Sequence, residues 1–321
     1  MHWRSAAASV LGLVAAACAS LPPGGDAAAW RTRAALAAGE DLRPAFERLC
    51  RQTEADATAE ARMPATRVFD NLVFLGRQKW NSWALLTSDG IILFDALETE
   101  AEAQHYVIDG LGALGLDPAT IRHVVVMHGH GDHFGGARLI QQRFGAHVWL
   151  SRADGELMRA TAARGGLRPG STIPVQDGII RDGDRLTLGG TVVRFYLTPG
   201  HTPGSLSAIV PLRDGRARHV AAYWGGTGFA PGRTDYPAYF RSIARFGAIA
   251  RDAGVDVALS NHPTNDMTLA RFSRLASRRA GEPHPLVLGR DGYQRFLATL
   301  EACIRATYAG ADPLLRRTIR P

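Results

Sequence analysis

Hydrophobic and polar positions along the chain alternate between short apolar runs, typical of strands, and stretches with helical spacing. The strands predicted in the first half cover 68–75, 83–87, 91–94 and 124–127. Those in the second half cover 185–188, 191–197, 205–210, 218–223 and 255–259. The predicted helices follow Pro44 and cover 99–115, 137–144, 236–252 and much of 267–308. Two blocks of strands, each followed by helices, predict one α/β domain with two sheets packed inside helical layers.

The beginning of the chain has the pattern of an export signal. Residues 10–17 form an apolar run that is too short to span a bilayer. Small residues that suit cleavage precede both Ser20 and Trp30, while Cys18 offers the alternative of a lipid anchor. We therefore predict residues 1–29 to be a signal peptide, and the mature protein to be periplasmic or secreted, without stable insertion in the membrane.

The rest of the chain divides into three predicted segments. Residues 21–43 have the composition of a linker rich in Pro, Gly and Ala, and residues 30–65 are predicted as the linker that follows the signal and an N-terminal helix. Residues 66–309 are predicted as the folded domain, and residues 310–321 as a basic tail. A hydrophobic fraction of 46% permits a substantial core for a domain of this length.

The formal net charge of +7 comes from scattered arginines, since Lys79 is the only lysine. No basic cluster is interleaved with aromatic residues, and no groove-reading motif is present in the sequence. The charge therefore indicates a solvated surface and not a nucleic-acid partner. We expect a monomer that acts on a small-molecule substrate.

Removal of the signal leaves two cysteines, Cys50 and Cys303, each in a stretch with helical spacing. In an oxidising compartment two such cysteines favour a disulfide, which would join the N-terminal helix to the C-terminal one. Two buried thiols are the alternative.

Four side chains that can bind a metal lie within six residues, directly after the apolar run 124–127. They are His128, His130, Asp132 and His133, separated by glycines. His128 and His130 can face one metal ion while Asp132 and His133 turn toward a second, and the glycines allow the backbone to fold tightly around both.

Two further histidines follow apolar runs. His201 stands between two Pro-Gly turns after the run 192–197, and His262 follows the run 255–259. Alone, each is a common loop histidine. Beside the first motif they become candidate metal ligands.

Together these motifs resemble the metallo-β-lactamase superfamily, which has His-x-His-x-Asp-His after a strand, a later single His and a final His near the C-terminus. The resemblance covers about residues 66–305. It implies the four-layered αβ/βα sandwich with a metal site where the two sheets meet, and Asp95 as an aspartate that supports the metal loop. It also implies two zinc ions, one bound by His128, His130 and His201 and the other by Asp132, His133 and His262.

The segment 222–227 narrows the choice of subclass within the superfamily that the chain resembles. Glyoxalase II and many other superfamily hydrolases place a bridging aspartate here, and one β-lactamase subclass places a cysteine, but this segment has neither. The remaining match is the exported β-lactamase subclass with Asp-His-His at the second zinc. The chain departs from that subclass in lacking a serine near Gly225 or Gly226, so Arg233 is the candidate partner of a substrate carboxylate.

The implied activity is zinc-dependent opening of the cyclic amide C–N bond of β-lactams by activated water. Asp132 is the expected catalytic residue, because it would hold the second zinc and orient or accept the proton of the nucleophile. One alternative is hydrolysis of lactones or other esters on the same metals. The other is a zinc-binding protein without turnover.

Overall fold

The computed structural model describes residues 26–51, 63–279 and 281–311. Seven strands form the first sheet, in sequence order across it, with β1 to β4 antiparallel and β4 to β7 parallel. These strands are β1 (Thr66–Phe69), β2 (Leu72–Gly76), β3 (Asn81–Thr87), β4 (Gly90–Phe94), β5 (Ile121–Val125), β6 (His147–Leu150) and β7 (Gly178–Ile179).

Five strands form the second sheet, in the order β12-β11-β10-β9-β8. Its neighbours are antiparallel except for β11 and β12, which run parallel. The strands are β8 (Arg185–Leu188), β9 (Thr191–Leu197), β10 (Leu206–Asp214), β11 (Ala217–Trp224) and β12 (Val257–Ser260).

In the part of the chain that the structure describes, ten α-helices lie outside the two sheets or connect their strands. A π-helical stretch, Ala103–Ile108, joins α3 to α4, and a 3₁₀ turn, Pro118–Thr120, precedes β5. The helices are α1 (Ala27–Ala38), α2 (Arg43–Arg51), α3 (Glu100–Glu102), α4 (Asp109–Ala113), α5 (Gly131–Phe134), α6 (Ala137–Phe144), α7 (Arg152–Ala163), α8 (Tyr236–Asp252), α9 (Thr268–Ala276) and α10 (Gly289–Gly310).

Three hydrophobic cores separate the layers. The central core lies between the sheets, where Phe94 stacks on Tyr223 at a centroid distance of 5.4 Å. A second core packs the π-helical stretch and α6 on the first sheet, and a third packs α8 and α10 on the second sheet. This arrangement confirms the predicted αβ/βα sandwich.

The prediction of a linker as far as residue 43 is wrong for Ala27–Ala38, which form the helix α1. Alanine has the highest helix propensity, and the Asp26 side chain accepts a hydrogen bond from the Ala29 amide at 2.7 Å to cap the helix. Ala34 and Ala38 are buried in the same core as α10. An alanine-rich helix lacks the contrast of polar and apolar faces that the sequence pattern relies on.

Three elements between residues 147 and 179 were not predicted: β6, α7 and β7. Both strands are short, and α7 is capped by Ser151, whose side chain accepts a hydrogen bond from the Asp154 amide. The predicted strand 68–75 is two strands, β1 and β2, because Asp70 and Asn71 form a turn between them.

A disulfide joins Cys50 of α2 to Cys303 of α10, as predicted. Both cysteines are buried in the core outside the second sheet. The bridge therefore fixes the N-terminal helices to the C-terminal helix.

Most of the predicted signal peptide and of the basic tail lies outside the described residues. The last residues of the predicted signal belong to α1, which begins at Ala27. Across the residues that the structure describes, no helix combines the length and the apolar character needed to cross a membrane.

Candidate metal centre

All the predicted site residues follow strands at one edge of the sandwich. Asp95 follows β4, the segment 128–133 follows β5, His201 follows β9 and His262 follows β12. The Leu206 amide donates a hydrogen bond to the Met127 carbonyl at 2.8 Å, which joins the two sheets at this edge. The carboxyl ends of strands from both sheets therefore converge on the candidate site.

The first group of ligands is formed by His128, His130 and His201. His201 Nε2 lies 3.1 Å from His128 Nε2 and 3.1 Å from His130 Nδ1. His128 Nδ1 donates to the Gly225 carbonyl at 2.5 Å and His201 Nδ1 to the Gly228 carbonyl at 2.7 Å. Since the carbonyls only accept, both Nε2 atoms carry lone pairs that face each other.

This spacing fits a metal ion. Tetrahedral zinc with bonds of 2.0–2.1 Å separates its nitrogen ligands by about 3.3 Å. The lone pairs of His128 Nε2 and His201 Nε2, only 3.1 Å apart, repel one another without a cation between them. The residues present therefore match the group that the fold implies.

The second group is formed by Asp132, His133 and His262. His133 Nε2 lies 3.3 Å from Asp132 Oδ2, and His262 Nε2 lies 4.0 Å from the same oxygen. His133 Nε2 is completely buried and faces the Asp132 carboxylate. His262 is oriented by its Nδ1, which donates to the Lys79 carbonyl at 2.7 Å.

His262 is nevertheless outside both sets of ligand atoms that lie close enough together to share a metal ion. Two sets of residues bring their ligand atoms within 4.8 Å of one another. The first contains His128, His130 and His201, and the second contains His128, Asp132 and His133. His128 thus lies between the two groups. Assignment of His262 to the second metal ion remains a prediction.

Asp95 supports the metal loop from below. Its side chain is completely buried, and its Oδ1 accepts a hydrogen bond from the Met127 amide at 2.7 Å. Its Oδ2 accepts from the Tyr223 hydroxyl at 3.1 Å and lies 3.1 Å from His133 Nδ1. The backbone of Asp95 has a φ of 61°, which lies in the left-handed region. This conformation is uncommon for a residue other than glycine, and such residues cluster at functional sites.

The electrostatics of the site prepare most of the histidines to bind a cation. Burial, with His130 nearby, lowers the pKa of His201 to about 3. Burial, with His133 nearby, lowers the pKa of His262 to about 4. Both rings are therefore neutral at pH 7, which is the form that binds a metal.

His133 shows the opposite shift. Burial opposes its charge, but the carboxylates of Asp132 and Asp95 outweigh that effect and raise the pKa of His133 to about 10. The pKa of Asp132 is lowered, because His133 and His262 outweigh the effect of burial on the carboxylate. The second group thus holds an ion pair that a metal ion would replace.

Asp154 is a positioning residue that the sequence analysis missed. Its side chain is completely buried. The Oδ2 atom accepts hydrogen bonds from the Gly129 amide at 2.8 Å and from Thr202 Oγ1 at 2.6 Å. The Oδ1 atom accepts a hydrogen bond from the Gly204 amide at 2.8 Å. One carboxylate therefore joins the loop of His128 and His130 to the loop of His201. The only signal in the sequence was Ser151-x-x-Asp154, a helix-start pattern.

Gly225 and Gly226, directly after β11, leave no room for a side chain at their positions. A Cβ atom at Gly225 would lie 2.0 Å from the Leu206 carbonyl oxygen, and one at Gly226 would lie 2.8 Å from His201 Cβ. Neither the serine of the resembled subclass nor a bridging carboxylate can occupy these positions without displacement of the loop. Arg233, farther along this loop, is exposed, and its charge contributes to the lowered pKa of His130, for which burial is the larger cause.

An αβ/βα sandwich with clustered histidines and a carboxylate at its strand ends defines the class of metal-dependent hydrolases. Residues 78–216 match the family model described as the metallo-β-lactamase superfamily. Over these residues the chain is similar to this superfamily, whose fold implies a divalent metal ion.

Sequence relatives include hydrolases of two descriptions. A hydroxyacylglutathione hydrolase of Rhodopseudomonas palustris (strain BisA53) is 28% identical over 225 residues, which cover 64% of this chain and 80% of the relative. A probable metallo-hydrolase of Burkholderia pseudomallei (strain 1710b) is 29% identical over 163 residues, which cover 46% of this chain and 53% of the relative.

Similar solved structures include β-lactamases. A metallo-β-lactamase from Cronobacter sakazakii superposes with a TM-score of 0.63 at 26% identity, covering 77% of this chain and 90% of that one. BJP-1, a subclass B3 metallo-β-lactamase of Bradyrhizobium japonicum, superposes with a TM-score of 0.61 at 22% identity, covering 79% and 92%. At that identity the second likeness concerns the fold alone.

Replacement of Asp154 by asparagine tests its role in joining the two loops. Either orientation of the amide would turn its NH₂ group toward a backbone N–H, of Gly129 or of Gly204. We expect metal affinity to fall roughly 10–100-fold and the unfolding free energy of the metal-free protein to fall by about 1–3 kcal/mol. Competition with a chelating dye and denaturant unfolding measure the two effects.

Asp177→Asn is the matched control. The Asp177 carboxylate also accepts a backbone hydrogen bond, from Val148 at 2.8 Å, but it lies outside the metal loops. Metal affinity in Asp154→Asn that equals the affinity in this control would contradict the assigned role.

Protonation of the metal-free site provides a second test. The ring of His133 should stay charged up to pH 9, because its raised pKa keeps the proton between two carboxylates, while His201 and His262 should stay neutral down to pH 5. Two-bond ¹H–¹⁵N spectra of the metal-free protein between pH 5 and 9 would distinguish these rings. A His133 ring that loses its proton below pH 7 would contradict the ion pair.

Proposed function

We propose that this protein is an exported hydrolase with two zinc ions, and that it opens the β-lactam ring of antibiotics. The observation that carries this proposal is the convergence of His128, His130 and His201 beside Asp132 and His133, with His262 Nε2 4.0 Å from Asp132 Oδ2. The close-packed glycines after β11 support it, because they leave no place for the bridging carboxylate of the thioester hydrolases. The fold shared with β-lactamases from two organisms is further support.

The ligand chemistry favours zinc. Neutral imidazoles with one carboxylate suit zinc among the common divalent ions. Three histidines in the first group leave a fourth position for water or substrate, which is typical of a catalytic site. Bound zinc would supply Lewis acidity for the scissile carbonyl and a nucleophile from water at neutral pH.

Asp132 is the proposed proton acceptor. Its side chain is 25% exposed, so water can reach the carboxylate, whereas His133 beside it is completely buried. His133 Nε2 lies 3.3 Å from Asp132 Oδ2 and His262 Nε2 4.0 Å from it, so this oxygen faces the second group and Oδ1 is left for the proton. Asp132 can take the proton from the attacking water and pass it to the leaving amide nitrogen.

Arg233 is the proposed partner of the substrate carboxylate. It is exposed on the same loop as Gly228, whose carbonyl orients His201. The electrostatic effect on His130 supports its placement beside the first group. A guanidinium can bind a carboxylate through two hydrogen bonds, a role for which the subclass commonly has a serine nearby.

Hydrolysis of lactones, thioesters or other esters is the second candidate function. The similarity to a hydroxyacylglutathione hydrolase over 225 residues favours it, as does the missing serine. A zinc-binding protein without turnover is disfavoured, because the first group would leave a coordination position open.

Hydrolysis of a penicillin and a carbapenem by the mature protein tests the proposal. With zinc added we expect ring opening, followed by loss of ultraviolet absorbance, and we expect chelation to abolish it. Asp132→Asn should lower kcat about 10²-fold or more, the range of a lost proton acceptor. Protein that holds two zinc ions but cleaves only acyl-homoserine lactones or thioesters would support the second candidate instead.

The variant Arg233→Ala, with Arg241→Ala as control, tests the orientation of the substrate. Loss of the exposed guanidinium–carboxylate contact should raise KM for a penicillin about tenfold and leave kcat nearly unchanged. Arg241 is also an exposed arginine, but it lies on α8, so its replacement should have no effect. Equal KM values for the two variants would remove Arg233 from the proposed site.

The proposed export implies cleavage before Ser20, or before a lipidated Cys18. Cleavage before Trp30 would remove the cap and first turn of α1, and Trp30 itself lies between the guanidinium groups of Arg33 and Arg305, 4.5 and 5.1 Å from its ring centroid. The disulfide supports an oxidising compartment. The intact mass of protein from the periplasmic fraction measures the cleavage point, and a chain that begins at Trp30 would contradict this expectation.

A further inference from the structure

Asn261 directly precedes the candidate ligand His262, and its side chain is completely buried. Its Nδ2 donates to Asp95 Oδ2 at 3.0 Å and to the Gly225 carbonyl at 3.0 Å. The reverse orientation of the amide would place its oxygen against two acceptors, so the orientation is determined by its surroundings.

Each acceptor of this amide also contacts one histidine of the metal centre. The Gly225 carbonyl accepts from His128 Nδ1 at 2.5 Å, and Asp95 Oδ2 lies 3.1 Å from His133 Nδ1. His128 belongs to the first group of ligands and His133 to the second. One planar NH₂ group is therefore shared by the supports of both groups.

We propose that Asn261 is a positioning residue that couples the two metal sites, so that occupation of one favours occupation of the other. This inference rests on the proposed function, because it requires two bound metal ions. The two N–H bonds of an amide lie in one plane at a fixed angle, so Asn261 fixes the Gly225 carbonyl relative to the Asp95 carboxylate. A shift of either acceptor would also move the backbone that carries His262.

Hydrogen bonding gives the coupling its direction. A metal ion on His128 Nε2 makes the Nδ1–H a stronger donor to Gly225 and so orders that carbonyl. The ordered carbonyl holds the amide in the orientation in which it also donates to Asp95, which in turn orients His133. The Asn261 oxygen is buried without a hydrogen bond, a cost that leucine would avoid in the same volume, so packing alone does not explain the asparagine.

Stepwise titration of the metal-free protein with Co²⁺ tests the proposal. The visible absorption of cobalt follows each ion as it binds, and competition with a chelator gives the two dissociation constants. For the unaltered protein we expect two ions to bind with similar constants. For Asn261→Leu we expect one ion to bind nearly as before and the constant of the other to rise about 10–100-fold.

Asn265→Leu is the matched control. Asn265 is also buried in the loop after β12, but its amide donates to Thr227 Oγ1 at 2.8 Å and its oxygen accepts from Arg48 Nε at 3.1 Å. Its side chain makes no hydrogen bond to the groups that orient the candidate ligands, and its backbone amide, which donates to the His262 carbonyl at 2.8 Å, is unchanged by the substitution. We expect its two cobalt constants to match those of the unaltered protein.

The outcomes separate this inference from the proposed function. Failure of the unaltered protein to bind two ions would overturn both. Two ions bound with the same constants in Asn261→Leu and in the control would overturn the coupling alone. Equal weakening of both ions in Asn261→Leu, together with a lower melting temperature of the metal-free protein than in the control, would show a merely structural role and would also overturn it.

Discussion

The metal centre depends on the buried carboxylate of Asp95, because this one group connects four strands. It follows β4, accepts from the Met127 amide after β5, and accepts from Tyr223 of β11 and Asn261 after β12. Two of these strands belong to each sheet. The packing of the sheets brings their ends together, and the hydrogen bonds to Asp95 fix how those ends are oriented.

Burial of a carboxylate is unfavourable unless hydrogen bonds and opposite charge compensate for it. At Asp95 three donors and the neighbouring His133 provide this compensation. Asp154 repeats the arrangement on the other side of the loop after β5, where two backbone amides and a threonine hydroxyl surround it. The loop that carries the main motif is thus held between two buried carboxylates, so its histidines are aligned before any metal binds.

The spacing of residues along the sequence predicted the part of the site that lies on one continuous loop. His128 to His133 lie on one loop, so their proximity follows from the sequence alone. His201 and His262 gained their roles only from the first motif and the family resemblance, since nothing local distinguishes them from loop histidines. Asp154 and Asn261 could not be found, because their hydrogen bonds join residues 25 to 166 positions apart.

The fold shows the same limit. Apolar runs identified most strands, and the boundaries of β8, β9 and α8 agree with the predictions. The helix α1 was missed because its contacts use alanine, whose small side chain packs closely without creating a polar and an apolar face. Hydrophobic periodicity reveals a helix only where one face is apolar and the opposite face is polar. The helix α1 has little difference between its faces, so the sequence pattern did not reveal it.

The glycines after β11 connect the architecture with the choice of substrate. The hydrogen bond from His128 requires the Gly225 carbonyl close to the metal centre, and the Leu206 carbonyl and His201 then occupy the space that a side chain would need. A serine or aspartate at Gly225 or Gly226 would displace the backbone that orients the first group of ligands. The proposed recognition of the substrate therefore relies on a residue farther out on the same loop, the exposed Arg233.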